Sequence, residues 1–256
     1  MAEADASPTP AALFAALDAT WAPAARVSLG DWIVRRGLGG GSRVSSVWPK
    51  GDPGIDLAAA IDAAAAIQRG WGQRPLVQIG PGDAALDAAL AARGWEGYDA
   101  CEMLAAPVAR IAAHGAAGLM VVKVRAPLAA LDALWAEGGV GPARRAVMAR
   151  TPAPKEILLL RAQDRPAAAL FVAAQGETAM LHALHVAPAQ RRAGVGAAAT
   201  AAAALWAQGL GARTLALAVT LANAPARALY RRLGFAPVCG YHYRRAPQET
   251  GQETTP

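Results

Sequence analysis

Four residues between positions 191 and 196 are of types that bind phosphate. The stretch HVAPAQRRAGVG (185–196) places Arg191, Arg192, Gly194 and Gly196 between a strand-like run and an alanine-rich helical run. The first N–H groups of a helix have no intrahelical partners and carry partial positive charge. Glycine lets that backbone approach a ligand, and guanidinium groups suit phosphate oxygens. The pattern predicts an anion site, with a plain strand–helix turn as the alternative.

The elements that must position this loop follow an alternating α/β pattern. Period-2 and period-3.6 runs of apolar residues predict strands and helices in turn through the second half of the chain. The predicted strands are 118–126, 155–163, 166–176, 178–186, 214–219 and 238–246, and helices are predicted at 127–139, at 141–151, after Gly194 and at 226–235.

The same order of elements occurs twice. In each half a strand, a loop, a helix, a strand and a second helix lead to a Gly–aromatic pair, Gly94–Trp95 and Gly234–Phe235. The spacing between the halves stays at 139–140 residues throughout, which indicates a duplicated α/β unit. We therefore expect a domain at 1–112, a second at 113–247 and a flexible tail at 248–256.

Two motifs of the second half resemble the Gcn5-related N-acetyltransferase (GNAT) superfamily. They are R-x-x-G-x-G at 191–196 and N-x-x-A-x-x-L-Y-x-x-x-G-F at 223–235. The resemblance covers about residues 118–246. It implies acetyl-CoA as the acyl donor and, in each half, a mixed, mostly antiparallel twisted sheet flanked by helices.

The resemblance also implies roles for individual residues. The strand 178–186 diverges from the strand 213–219, and the pantetheine arm lies in the gap against the backbone of Leu184, His185 and Val186. Tyr230 protonates the departing thiolate, a task that a phenol can perform beside a thiol. The residues implied for binding the pyrophosphate and supporting the site are Arg191, Arg192, Ala193, Gly194, Val195, Gly196, Ala197 and Asn223.

The base that removes the amine proton is less clearly marked. Many relatives carry a carboxylate on the strand 213–219, but Ala218 and its neighbours include none. His182 lies in LHALHV, which is similar to the LHALAV of arylalkylamine N-acetyltransferases, where the histidine takes part in proton removal. Strand alternation predicts that 182, 184 and 186 share one face and that His185 faces the other way. A neutral histidine suits the task, with a structural histidine as the alternative.

The first half departs from this pattern. Asp52 and Asp56 fall where the second half has Arg191 or Arg192 and Gly196, and Leu90 stands at the place of Tyr230. Carboxylates repel a pyrophosphate, so we expect no CoA site here. DWIVRRGLGGGSRVSSVWP (31–49) resembles the degenerate first half of a bacterial tandem-GNAT group. The arginines at 35, 36 and 43 either hold an acidic substrate or solvate a sheet edge.

Composition limits the remaining classes. All but three of the 25 basic residues are Arg, so the net charge of +6 reflects compositional bias rather than nucleic-acid binding. Cys101 and Cys239 form no metal-ligand set, and no metal is expected. Neither a signal peptide nor a membrane span is expected, so the predicted location is the cytoplasm. A monomer or a homodimer is expected.

The sequence thus predicts an N-acetyltransferase that acetylates a primary amine of a small molecule by direct attack. Two alternatives remain open at this point. One is a protein or peptide N-terminal acetyltransferase, and the other is a non-catalytic acyl-CoA-binding module.

Overall fold

The computed structural model describes residues 7–116, 118–125, 128–152 and 154–248. The described helices are α1 (Pro10–Thr20), α2 (Ser42–Ser45), α3 (Leu57–Gly70), α4 (Ala84–Ala92), α5 (Val108–Ala112), α6 (Ala129–Glu137), α7 (Pro142–Arg150), α8 (Val195–Gly209) and α9 (Ala224–Leu233). The described strands are β1 (Ala25–Leu29), β2 (Trp32–Arg36), β3 (Trp48–Pro49), β4 (Leu76–Ile79), β5 (Glu96–Pro107), β6 (Met120–Lys123), β7 (Lys155–Ala162), β8 (Arg165–Gln175), β9 (Thr178–Val186), β10 (Thr214–Thr220) and β11 (Ala236–Arg245).

The predicted mixed α/β class is confirmed. The contacts divide the chain into unit 1 (1–22 and 101–240) and unit 2 (23–100 and 241–256). The domain boundaries expected from the sequence, 112/113 and 247/248, stay a prediction. Within the expected tail 248–256, only residue 248 belongs to the described part of the chain.

In unit 1 the strands follow the order β11-β5-β10-β9-β8-β7-β6. The boundary between the units divides β11, whose residues up to 240 belong to unit 1 and whose later residues belong to unit 2. The β9–β10 pair is parallel, whereas β5–β10, β6–β7, β7–β8 and β8–β9 are antiparallel. Side chains of α5, α8 and α9 form one hydrophobic core with alternate residues of these strands, including Leu158, Leu170 and Leu181. The alanine-rich face of α8 suits this core because small side chains let the helix approach the sheet closely.

Phe171 and His182 lie outside that core. They pair across β8 and β9, and Trp21, directly after α1, contacts both rings, with centroid distances of 5.9 Å to Phe171 and 5.0 Å to His182. The segment after α1 is also tied to α7, because Arg150 Nε donates to the Ala22 carbonyl at 2.9 Å. The N-terminal helix is therefore an integral part of unit 1.

Unit 2 contains the three-stranded antiparallel sheet β1-β2-β3 and the antiparallel pair β4–β11. Trp32, Ile61, Val77 and Leu90 belong to its hydrophobic core. Arg35 is buried there, and its guanidinium donates to the Ser46 carbonyl and hydroxyl, both at 2.8 Å, and to Gln78 Oε1 at 2.9 Å. Neither expected role fits this arginine, since it cross-links the interior of unit 2.

The strand pairing supports the duplication seen in the sequence. Ala218 of β10 pairs with Met103 of β5 in unit 1, and Gln78 of β4 pairs with Tyr243 of β11 in unit 2. Gln78 and Ala218 are 140 positions apart, as are Met103 and Tyr243. Unit 1 thus contains β5 from the N-terminal half of the sequence, and unit 2 contains the end of β11 from the C-terminal half. The two strand pairs have the same register when positions are shifted by 140 residues. The stretch 107–118, expected to be a junction, includes the short helix α5.

Candidate active site

The parallel strands β9 and β10 separate halfway along their length. Their pairing runs from Thr178–Thr214 to Leu181–Leu217 and stops there. Beyond that point β10 continues its pairing with β5, and β9 continues its pairing with β8. The β9–β10 ladder therefore ends at Leu181 and Leu217. The expected divergence of these two strands is present.

A β-bulge at Ala183 marks the start of this opening. Phe171 pairs with His182 and Ala169 with His185, so two residues of β9 oppose Leu170. Ala183 has φ of +50°, a conformation that is unfavourable for a residue with a Cβ and typical of strained functional positions. The indole Nε1 of Trp135 in α6 donates to the Ala183 carbonyl at 3.0 Å. The bulge is thus held by a hydrogen bond from outside the sheet.

The bulge corrects the expected side-chain alternation. Leu184 and Val186 pack against the same hydrophobic core as Leu181, whereas His182 faces Trp21. His182 does not share a face with Leu184 and Val186, because one inserted residue inverts the alternation of every side chain after it. The sequence contains no mark of this insertion, since alanine is an ordinary strand residue in this chain.

The loop 191–194 leads to the N-terminus of α8 without a side-chain cap. Gly194 occupies the N-cap position with φ of +80°, and no side chain bonds to the helix end. Arg191 and Arg192 are exposed, and Arg191 Nε donates to the Val186 carbonyl at 3.3 Å. No described residue accepts a well-formed hydrogen bond from the backbone N–H groups of 192–196. These donors and the two guanidinium groups make the start of α8 positively polarised.

The next residues set how closely α8 approaches the sheet. Val195 is buried, and Ala193 and Ala197 flank it at the helix start. A Cβ on Gly196 would lie 2.9 Å from Leu229 Cδ2 and 3.7 Å from Val186 Cγ2. Glycine at 196 therefore permits the first turn of α8 to pack against β9 and α9.

Tyr230 lies on α9 and is 7% exposed within the core of unit 1. Its ring meets Phe235 edge to face at 5.6 Å. Asn223 is the N-cap of α9, and its Oδ1 accepts from Ala226 N at 3.2 Å. The described role of Asn223 is thus to start the helix that carries Tyr230, directly after β10 ends.

His182 is 2% exposed, and its Nε2 lies 2.9 Å from Thr20 Oγ1. The Thr20 hydroxyl donates to the Ala16 carbonyl at 2.7 Å, so its oxygen accepts from the imidazole. Nε2 of His182 therefore carries the proton, and Nδ1 carries the lone pair.

His185 lies beyond the bulge, beside the end of α6. Its Nε2 is 3.8 Å from a Glu137 carboxylate oxygen, and a Cβ on Gly138 would lie 2.5 Å from its Nδ1. Burial, together with the nearby charge of Arg191, lowers the pKa of His185 below its ordinary value. This imidazole is therefore neutral at pH 7.

Glu102 is a site residue that the sequence analysis missed. It lies on β5 in unit 1, and its Oε1 accepts from Arg227 Nε of α9 at 2.5 Å, while Oε2 lies 3.6 Å from Arg231. The carboxylate is well buried, and it fixes α9 to the sheet. A neighbour 125 positions away in the sequence leaves no local pattern that could have revealed this pair.

The corresponding positions of unit 2 differ in the way the sequence predicts. Asp56 is the N-cap of α3, and its Oδ1 accepts from Ala59 N at 3.0 Å, so a carboxylate occupies the place where an anion would bind. Asp52 accepts from Gly54 N at 2.8 Å. Leu90 is fully buried at the place that corresponds to Tyr230.

None of the described helices combines the length and apolar character needed to cross a membrane. Residues 132–235 match the model of the acetyltransferase (GNAT) family. No curated protein matches the chain significantly in sequence.

Several solved structures share the fold. A GCN5-related N-acetyltransferase from Kribbella flavida has a TM-score of 0.71 at 20% identity, covering 93% of this chain and 95% of its own. A conserved protein of unknown function from Staphylococcus epidermidis has a TM-score of 0.64 at 10% identity, covering 80% and 86%. A tandem GNAT protein from the clavulanic acid biosynthesis pathway has a TM-score of 0.56 at 17% identity, covering 74% and 70%. At these identities the likeness concerns the fold.

Proposed function

Because residues 132–235 are a GNAT-family acetyltransferase domain, we propose that the chain transfers the acetyl group of acetyl-CoA to a primary amine of a small molecule. The observation that carries this proposal is the opening between β9 and β10, which leads from the bulge at Ala183 to the uncapped start of α8. A thioester with a long polar arm and a pyrophosphate fits an open strand edge followed by an anion site.

The loop and the first turn of α8 would bind the pyrophosphate. The backbone N–H groups of residues 192–196 offer donors, and Arg191 and Arg192 add charge. Gly194 lets the backbone take the φ of +80° that directs these groups outward, and Ala193, Val195, Gly196 and Ala197 complete the turn. This set of donors is matched to an anion and offers nothing to a cation.

The open edge of β9 would bind the pantetheine arm. Leu184, His185 and Val186 have no β10 partner in the ladder, so backbone groups on that edge would form strand-like hydrogen bonds with the arm. Arg191 Nε, which donates to the Val186 carbonyl at 3.3 Å, would share or release that acceptor. Backbone donors at the bulge would stabilise the negative charge that develops on the thioester oxygen. The bulge matters here because it turns N–H groups away from the regular ladder.

Tyr230 and His182 would handle the protons. Tyr230 would protonate the departing thiolate, since its helix begins where β10 ends, at the same opening. His182 would accept the amine proton through Nδ1, because Nε2 donates to Thr20. The amine then attacks the thioester carbon directly, the C–S bond breaks, and the thiol and the N-acetyl product leave. No residue of the chain is acylated in this scheme.

Unit 2 would bind no second CoA, because Asp56 fills the helix start that corresponds to α8. The strand β5 nonetheless brings the buried Glu102 into unit 1. The N-terminal half of the sequence thus supplies unit 1 with a carboxylate that holds α9 to the sheet.

The test is a steady-state assay of thiol release with acetyl-CoA and a panel of primary amines, with the products identified by mass spectrometry. Intersecting double-reciprocal plots are expected for direct attack in a ternary complex, and parallel plots would contradict it. His182→Gln should lower the rate most where the wild-type imidazole is neutral, and the two enzymes should converge on the acidic side, while His114→Gln, at an exposed position, should leave the profile unchanged. Tight CoA binding without turnover of any amine would favour the non-catalytic alternative.

A further inference from the structure

Unit 1 contains a cavity on the α6–α7 side of the sheet. Its volume is about 630 Å³, which is in the range of small-molecule sites. The cavity is lined by residues between β6 and α6, by α6, α7 and the start of β7, and by one residue of β8, and it is open to solvent on one side. The residues that line it are Val124, Arg125, Leu128, Leu131, Asp132, Trp135, Arg145, Met148, Ala149, Lys155, Glu156, Ile157 and Phe171.

The inner wall of this cavity is apolar. Leu131, Trp135, Met148 and Phe171 are all nearly fully buried. Such a wall stabilises hydrocarbon and aromatic groups by removing their surface from water. It penalises ligands such as polyamines or amino sugars, whose polar groups would find few partners there.

Three of the five charged residues that line the cavity, Asp132, Arg145 and Lys155, have partners within the protein, and the other two are Arg125 and Glu156. Asp132 and Arg145 form an ion pair at 3.3 Å. The Lys155 ammonium donates to the carbonyl groups of Met148, Ala149 and Thr151 at the end of α7, at 2.5–3.0 Å. Because these groups have partners, they do not require a ligand of opposite charge. The inner wall therefore offers a ligand mainly apolar surface.

The cavity adjoins the opening between β9 and β10 through two of its wall residues. Phe171 is the cross-strand neighbour of His182, with ring centroids 6.0 Å apart. Trp135 donates to the carbonyl of Ala183, the bulge residue. His182 and Ala183 are the first residues of β9 after its pairing with β10 ends. Two wall residues of the cavity therefore contact β9 where its ladder with β10 ends.

We infer that this cavity binds an apolar body, alkyl or aromatic, that carries the acceptor amine. This inference rests on the proposed function for the reacting amine, but the binding of the apolar body can be measured without turnover. It names the acceptor as an amine with a hydrophobic substituent and excludes polyamines and amino sugars as preferred acceptors.

A homologous series of straight-chain primary amines tests the inference, because the amino group stays the same while the apolar body grows. Each methylene buried in the cavity should raise kcat/KM about fourfold, so 1-aminohexane should exceed aminoethane by about 10²-fold. 1,5-Diaminopentane, with a second ammonium group at the far end, should fall well below 1-aminohexane. A kcat/KM that does not change with chain length would overturn the inference.

A matched pair of variants on α7 locates the effect. Ala149 lines the cavity and Ala146 does not, and both are exposed alanines of the same helix. In Ala149→Trp, the ratio of kcat/KM for 1-aminohexane to kcat/KM for aminoethane should fall at least tenfold, while the KM for acetyl-CoA stays unchanged. In Ala146→Trp, the same ratio should equal that of the wild type. Equal behaviour of the two variants would contradict this site.

Calorimetry with 1-aminohexane and aminoethane separates this inference from the proposed function. Tighter binding of 1-aminohexane that Ala149→Trp abolishes supports the cavity even if no amine is acetylated, a result that would count against the proposed function alone. Acetylation without any dependence on chain length would leave the proposed function intact and refute the cavity. A preference for hexanoyl-CoA over acetyl-CoA that Ala149→Trp abolishes would assign the cavity to the acyl group and also refute the inference.

Discussion

Glu102 of β5 and Arg227 of α9 form a buried ion pair with an oxygen–nitrogen distance of 2.5 Å, although they are 125 positions apart in the sequence. Arg231 adds a second, longer contact to the same carboxylate. The helix that carries Tyr230 is thereby attached to a strand from the first half. This contact makes the geometry around Tyr230 depend on residues outside the matched domain.

Glu102→Gln keeps the shape of the side chain and removes its charge. We expect the free energy of unfolding to fall by about 1–3 kcal/mol, because both arginines lose their charged partner. We also expect a lower kcat, since α9 is less firmly held. Chemical denaturation and steady-state kinetics measure both effects. Glu177→Gln is the matched control, because its pair with Arg213 is exposed and 3.7 Å long. Equal losses in the two variants would contradict the role given to Glu102.

Tyr230→Phe removes one oxygen and leaves the ring to pack against Phe235. If the phenol protonates the thiolate, kcat should fall by about 10²–10⁴-fold while the Kd for CoA changes little. The decline of the rate at high pH should disappear with the phenol. A pH–rate profile and calorimetry with CoA provide the measurements. Wild-type turnover in this variant would reduce Tyr230 to a core residue.

Arg192→Glu places a carboxylate beside the free N–H groups at the start of α8. We expect CoA affinity to fall at least tenfold with an unchanged circular dichroism spectrum, because Arg192 is exposed. Arg213→Glu makes the same change in charge at the opposite end of β9 and β10 and should leave CoA affinity unaltered. Calorimetry should give one CoA per chain, and a second equivalent site would contradict the capping of α3 by Asp56.

The reciprocal placement of β5 and β11 predicts how fragments behave. A fragment of residues 113–247 lacks β5 and leaves seven residues of β10 without their antiparallel partner. We expect it to aggregate, because an unpaired edge flanked by apolar residues invites association. A fragment of residues 96–247 retains β5 and should be more soluble on size-exclusion chromatography. Both fragments lack α1, so only a fragment 113–247 that is as soluble and monomeric as the intact chain would show that β5 is dispensable for unit 1.

Asp87 gives unit 2 a pH-dependent contribution to stability. Its carboxylate accepts from Arg244 Nε at 2.6 Å and from His242 Nε2 at 2.9 Å. The Arg244 hydrogen bond, chiefly, holds the pKa of Asp87 below its ordinary value. A lowered pKa means that the stabilisation is present above the unfolded-state value of about 3.9 and is lost as the pH falls through the folded-state pKa.

Asp87→Asn should therefore lower the free energy of unfolding by about 1–2 kcal/mol at pH 7, and the difference from wild type should shrink below about pH 4. Urea unfolding at several pH values measures this. Asp62→Asn breaks an exposed pair with Arg93 and should change stability little at any pH. A difference that stays constant down to pH 2 would contradict the assigned cause.

The sequence by itself determined the features that depend on local residue types. Arg191, Arg192, Gly194 and Gly196 predicted the anion site because a positive φ, a close helix approach and free N–H groups each demand particular residues. The order of strands and helices followed from apolar periodicity, and the duplication followed from constant spacing. Asp56 led to the expectation that the first half has no anion site, and in the structure its carboxylate caps α3.

Only the tertiary structure decided which strands pair and where the alternation of β9 changes. The exchange of β5 and β11 depends on long-range pairing, and apolar strands of similar composition carry no label for their partners. The bulge at Ala183 inverted the predicted face of His182 because a single inserted residue is invisible in an alanine-rich strand. Arg35 and Glu102 likewise became interior residues only because distant segments supplied partners for their charged groups.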